Sequence, residues 1–181
     1  MVLEWIVVGL VILVVIIAVS YINRIRILSN RIDNAWAQID VQLKKRVDLV
    51  PNLVETVKGY VKHEKSVFKD VTDAHKAMMG AQTMQEKAKA GAGLAGALKT
   101  LFALSENYPR LKANQNFMML QEELSGIENK IAYARQFYND SVLEYNNLVT
   151  TIPGSFFAMG RAPKPFLEVT EAERKPVKVE F

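Results

Sequence analysis

Between Val2 and Ile22 the only polar side chains are Glu4 and Ser20, and from Trp5 to Val19 there is none. A helix on the surface of a water-soluble domain keeps a polar face, and this stretch has none to offer. At a rise of ~1.5 Å per residue, a helix over these residues is roughly 31 Å long, close to the hydrocarbon thickness of a bilayer. A cleaved secretion signal is the alternative, and Ala18-Val19-Ser20 supplies small residues at a suitable spacing. Such a signal begins with basic residues, whereas here no Lys or Arg precedes the run and Glu4 stands in its place. Residues 1–22 are therefore read as a retained transmembrane anchor in contact with the lipid bilayer. Arg24, Arg26 and Arg31 follow the span closely. Basic residues flank the cytoplasmic end of a span, so the expectation is a cell (inner) membrane protein with a short N-terminus outside and the bulk of the chain in the cytoplasm.

After the span, apolar residues recur at alternating steps of three and four, the mark of helices that bury one stripe. The first seam reads Ile22, Ile25, Ser29, Ile32, Trp36, Ile39, Leu43, Arg46, Val50, with Trp36 expected in the core. No Gly or Pro separates Leu10 from Val50, so span and first helix are predicted as one continuous helix ~70 Å long. Pro51, lacking an amide hydrogen, is expected to end or kink it. A second seam runs Leu53, Val57, Tyr60, Glu64, Val67, Val71, Ala74, Met78 up to Gly80. Thr83 and Glu86 have the spacing of a capping box ahead of a third helix. That helix passes Gly91, Gly93 and Gly96 to Leu98, Leu101 and Phe102 before Pro109. Asn114 is a fitting cap for a fourth helix, whose seam is Phe117, Leu120, Leu124, Ile127, Ile131, Ala134, Tyr138, Ser141, Tyr145, Leu148, Ile152.

The predicted fold is all-α. An N-terminal transmembrane helix (1–22) precedes an antiparallel up-and-down four-helix bundle (23–152), with helices near 23–50, 52–80, 84–107 and 115–152. Residues 153–181 form an irregular tail containing Pro153, Gly154, Pro163, Pro165 and Pro176, with Phe156, Phe157, Phe166 and Phe181. Part of the tail is expected to lie along the bundle. Its last six residues, Pro176 to Phe181, alternate apolar and polar side chains as a strand does. They either dock on the bundle, stay loose, or serve as a terminal strand read by a partner.

Cysteine is absent, which excludes disulfides and thiolate metal sites. The 23 basic and 19 acidic residues are interspersed, without a basic block threaded by aromatics, so no nucleic-acid partner is expected.

Several blocks carry a resemblance. They are Asn34-Ala35-Trp36, Gln38 to Arg46, Asp48 to Val54 with Lys58-Gly59-Tyr60, and Tyr108 to Phe117 with Leu120-Gln121 and Glu123-Leu124. The fourth helix adds Glu128-Asn129, Ile131-Ala132, Ala134-Arg135, Tyr138-Asn139-Asp140 and Tyr145-Asn146. Across essentially its whole length the chain resembles the bacterial LemA family. The resemblance implies a membrane-anchored bundle of four helices, bromodomain-like in arrangement, and implies no particular reaction. Relatives often carry Arg after the alanine late in the second helix, where this chain has Ala74-His75.

Features that look like chemistry have plainer readings. Gly91-Ala92-Gly93-Leu94-Ala95-Gly96 matches the dinucleotide-binding pattern, but a polar, helix-forming stretch precedes it where a strand is required. Small residues that let two helices approach closely, or a floppy start to the third helix, are the better readings. His63 and His75 are the only histidines, and one helix would hold them ~18 Å apart, too far to share a metal or a haem iron. No Glu-x-x-His pair of a di-iron bundle occurs. Asn139-Asp140-Ser141 fits a glycosylation acceptor but falls inside a long helix. No catalytic residue, cofactor or metal site is assigned.

The remaining candidate is a polar stripe. Asn114, Gln121, Glu128 and Arg135 recur every seven residues on the fourth helix, and the first helix offers Asp40 and Arg46. The stripe either fixes helix register or forms a recognition groove. The functional expectation is a non-enzymatic membrane-anchored scaffold with a protein partner. The alternative is a regulatory module that binds a small ligand between its helices.

Overall fold

A computed structural model of the chain describes residues 1–61 and 64–167. His63 and the alternating segment from Pro176 to Phe181 lie outside the described residues. The described structure is all-helical, without a strand, and begins with one long helix, α1 (Val2–Lys58). It is followed by α2 (Lys65–Gly80), α3 (Met84–Ser105), the single turn α4 (Pro109–Lys112), α5 (Gln115–Thr150) and the single turn α6 (Gly154–Phe157). Two compact units are formed, and α1 and α5 contribute to both.

The first unit takes residues 1–37 and 135–166. The side chains from Val2 to Ile17 are exposed. From Ile25 onward α1 buries a stripe of Ile25, Leu28, Ile32 and Ala35, while α5 buries Tyr138, Val142, Tyr145 and Val149. Tyr21 stacks on Phe157 at 5.4 Å, Arg24 and Arg31 both pair with Glu144 at 3.2 and 3.0 Å, and Trp36 meets Tyr138 edge-on at 6.5 Å. Ascending numbers on one element meet descending numbers on the other, so these segments run antiparallel. Each exposed ion pair contributes little, about 0.2–1 kcal/mol, so the apolar stripe carries the packing. Beyond α6 the chain turns back. The Asn146 side chain clasps the Lys164 backbone, accepting from its amide at 2.8 Å and donating to its carbonyl at 2.9 Å. The Tyr138 hydroxyl donates to the Pro165 carbonyl at 3.2 Å. Lys164 reaches Asp33 and Ser29, each at 3.1 Å. Part of the tail is thus held on the helices, and α6 puts one regular turn in it.

The second unit is built from Gln38–Ala134 together with Leu167. Its core combines Ile39, Leu43, Val50, Leu53 and Val57 of α1 with Val71 and Met78 of α2, Leu94, Leu98 and Leu101 of α3, and Phe117, Leu124, Ile127 and Ile131 of α5. Thr83 caps α3. Its hydroxyl accepts from the Glu86 amide at 3.2 Å, while the Glu86 carboxylate accepts from the amides of Gln82 and Thr83 at 2.9 and 3.1 Å. Asn114 caps α5 by accepting from the Phe117 amide at 3.0 Å.

Several expectations require correction, and on the second seam Tyr60 is exposed. Trp36 and Ser29 are half-buried rather than core residues, and Leu28 and Ala35 take the inner positions instead. A strict three-four alternation keeps a 3.5-residue period, whereas a straight helix needs 3.6, so the stripe drifts and two steps of four follow one another at Ala35, Ile39 and Leu43. The first helix also does not end at Pro51. It runs through the proline to Lys58, and the second helix starts at Lys65, not near residue 52. A proline at this point removes the amide that the Val47 carbonyl would have accepted. The imidazole Nε2 of His75 stands 3.1 Å from that carbonyl and satisfies it. Pro51 itself is on the exposed side of α1, where its ring crowds nothing in the core.

The α3 cap yields an expected result. Hydrogen bonds from the backbone of Gln82 and then Thr83 hold the Glu86 carboxyl below its ordinary value. The stabilisation is therefore fully present above the unfolded carboxylate range of about pH 4–5 and is lost as pH falls through the lower folded value. Thr83→Ala should cost about 1 kcal/mol at neutral pH. Melting curves of Glu86→Gln should fall less steeply with acid than those of the parent chain.

Candidate functional site

The polar residues of the second unit gather around the α1 segment from Asp40 to Pro51. Arg46 sits on the buried stripe of α1 with only 2% of its surface exposed. A guanidinium taken out of water needs its donors occupied. Its Nη1 donates to the Gly91 carbonyl of α3 at 3.0 Å, and its Nη2 pairs with the Glu128 carboxylate of α5. The two carry unequal burdens, since the Glu128 side chain is 48% exposed. Asp40 accepts from Lys87 of α3 at 2.6 Å, and Lys44 pairs with Asp48 one turn along α1. Asn114 donates to the Tyr60 hydroxyl at 2.9 Å in addition to capping α5.

Of the stripe read from sequence, Arg46 and Glu128 are brought into contact, and Asp40 and Asn114 each find a different partner. Gln121 is half-buried on α5, and Arg135, also half-buried, falls in the first unit. Sequence reasoning missed Gln42, whose side-chain oxygen is buried without a hydrogen-bond partner among the described residues. It also missed the task of His75. The signal for His75 was Pro51, because a proline inside a helix frees a carbonyl that something must satisfy.

The glycine pattern lies wholly within α3, so its amides belong to the helix and cannot cradle a phosphate. A Cβ on Gly91 would come within 2.8 Å of Leu43 Cδ2, and this is where the helices approach closely. Gly93 and Gly96 have open space instead.

A cleft of about 550 Å³ opens beside these charges. Val47, Pro51 and Met78 line it together with Asp40, His75 and Lys87. Among the described residues no three His, Asp or Glu side chains are grouped so as to hold a metal. The cleft lining mixes apolar side chains with the charged Asp40, Lys44, Asp48 and Lys87.

The sequence profile of the LemA family matches residues 35–181. The chain belongs to the LemA family. The match contains all six stripe residues and leaves the apolar N-terminal segment outside it. Magnetosome protein MamQ of Magnetospirillum gryphiswaldense is similar to this LemA-family chain, with 26% identity over 149 residues. The similarity takes in 68% of the chain and 55% of MamQ, so the chain spans about half the length of that relative.

For this LemA-family chain, the proline-histidine arrangement gives a sharp test. His75→Ala should cost about 1 kcal/mol, the worth of a part-buried hydrogen bond. In a Pro51→Ala background the helix regains an amide for Val47, and the same change should cost close to nothing. Equal costs in both backgrounds, measured by chemical unfolding, would show that the imidazole does not serve the freed carbonyl.

Proposed function

We propose that this LemA-family chain is a single-pass membrane protein whose helical domain acts as a non-enzymatic scaffold for a protein partner. The observation that carries the reading is the N-terminal part of α1, a helix long and apolar enough to cross a bilayer with its apolar window wholly unburied. A segment of that kind exposes a large apolar surface, which lipid covers and water does not. Arg24, Arg26 and Arg31 just beyond it favour a cytoplasmic domain on the cell (inner) membrane, with a short N-terminus outside. In the second unit the α1 segment from Gln38, α2, α3 and the first half of α5 share one core, which supports an antiparallel up-and-down four-helix bundle. The polar side chains here are spent on each other and on helix ends, not aimed at a common reacting position, which favours a scaffold over an enzyme.

A reporter that works only in the cytoplasm, fused after Phe181, is expected to be active. Activity from a reporter that works only outside would overturn the topology. Crosslinking of the full chain in its own membrane should then capture a protein partner.

A second reading, a regulatory module for a small ligand, draws on the cleft beside Asp40, His75 and Lys87. A small molecule that stays bound when the detergent-purified chain is weighed intact, and is lost on Met78→Trp, would favour it over the scaffold.

A further inference from the structure

We infer that the turn after α5 is a second membrane contact, set into the lipid headgroup region beside the N-terminal span. The inference rests on the anchor reading above and adds to it a site that no apolar run in the sequence announces. The stack between Tyr21 and Phe157, with centroids 5.4 Å apart and planes 23° apart, fixes where the turn lies. Tyr21 closes the apolar segment of α1, so α6 stands beside the point where α1 leaves the hydrocarbon layer. In α6 and on either side of it, Ile152, Phe156 and Met159 have 78%, 75% and 74% of their surfaces exposed. Three large apolar side chains so close together are unfavourable in water, and the headgroup boundary is the environment that covers them.

The local charge suits lipid phosphates. Arg24 and Arg31 share the one carboxylate of Glu144, Arg26 is exposed nearby on α1, and Arg161 follows the turn. Tyrosine at this level is also the residue whose ring and hydroxyl fit a membrane interface. Gly154 packs against the end of α5. A Cβ there would come within 2.0 Å of the Leu148 carbonyl oxygen. The Tyr21–Phe157 pair and the close packing of Gly154 tie α6 to α1 and to the end of α5.

The chain contains no cysteine, so single nitroxide labels can be placed freely. The test uses the full chain in phosphatidylcholine–phosphatidylglycerol vesicles, labelled in turn at Phe156→Cys, Val11→Cys and Lys99→Cys. Phe156 and Lys99 are exposed, so neither change disturbs the fold. Collision rates with oxygen and with a water-soluble nickel chelate are compared for each label. The label at 156 is expected to favour oxygen over the chelate relative to the label at 99, at a depth of roughly 5–10 Å, with the label at 11 deeper still. A label at 156 that matches the one at 99, while the label at 11 remains deep, overturns this inference and leaves the span standing. Should the label at 11 itself read as aqueous, the anchor reading and this inference fail together.

Discussion

Tyr138→Ala should lower the stability of the chain by about 3–5 kcal/mol, the cost of deleting a fully buried aromatic side chain. Tyr138 is 1% exposed, sits edge-on to Trp36, and has the largest side chain among the fully buried residues. Its hydroxyl also holds the returning chain through the Pro165 carbonyl. Tyr138→Phe keeps the ring and removes the hydroxyl together with its bond to the Pro165 carbonyl, so about 1 kcal/mol is expected. The pair of variants separates packing from hydrogen bonding by urea or thermal unfolding in detergent micelles. Alkaline behaviour provides a second check. Burial, and after it the negative charge of Asp33, raises the Tyr138 phenol above its ordinary value. The folded chain therefore keeps a proton that the unfolded chain gives up, and stability falls as pH rises through and beyond about 10. Tyr138→Phe should be less sensitive to alkali than the parent chain. An unchanged alkaline slope would mean that another group is responsible.

Glu128→Ala is expected to cost about 2–3 kcal/mol, and Arg46→Met less than about 1 kcal/mol. The order follows from unequal burial of the pair. Removing the carboxylate leaves a guanidinium charge in the core, where Arg46 is 2% exposed. Removing the guanidinium leaves a carboxylate that is already 48% exposed and can turn to water. Methionine fills the vacated apolar space, and the Gly91 carbonyl keeps its place in the α3 ladder. The first figure lies below the roughly 3–5 kcal/mol of a fully buried pair because water reaches one partner. If the two variants cost the same, the asymmetry does not govern this contact. Loss of a captured partner with unchanged stability would instead make the stripe a recognition surface.

The helical class and most of the α5 stripe were legible because both depend on local spacing. Phe117, Leu124, Ile127 and Ile131 in one unit, and Tyr138, Ser141 and Tyr145 in the other, are buried as their 3.6-residue recurrence requires. Leu120, Ala134 and Leu148 are only half-buried, and Ile152 is left exposed once α5 has ended at Thr150. The capping residues Thr83 and Asn114 were equally readable, since their partners lie three residues away. What escaped were relations between helices. Pro51 breaks a helix only if the freed carbonyl has no other donor, and the donor lies on α2. Arg46 and Glu128 could each be marked as polar residues near a seam. Their meeting depends on how three helices approach, which no local pattern encodes. The tail was read as irregular from its prolines, but its clasp on Asn146 comes from a side chain on the facing helix.

The bond from His75 to the Val47 carbonyl ties two positions on different helices into one unit of inheritance. A lineage that keeps proline at position 51 is bound to keep a side-chain donor within reach of Val47. A lineage that replaces the proline regains the amide and releases position 75 to drift. An arginine at position 75, with several N–H groups, meets the same demand, so substitutions at 51 and 75 should arise as linked pairs.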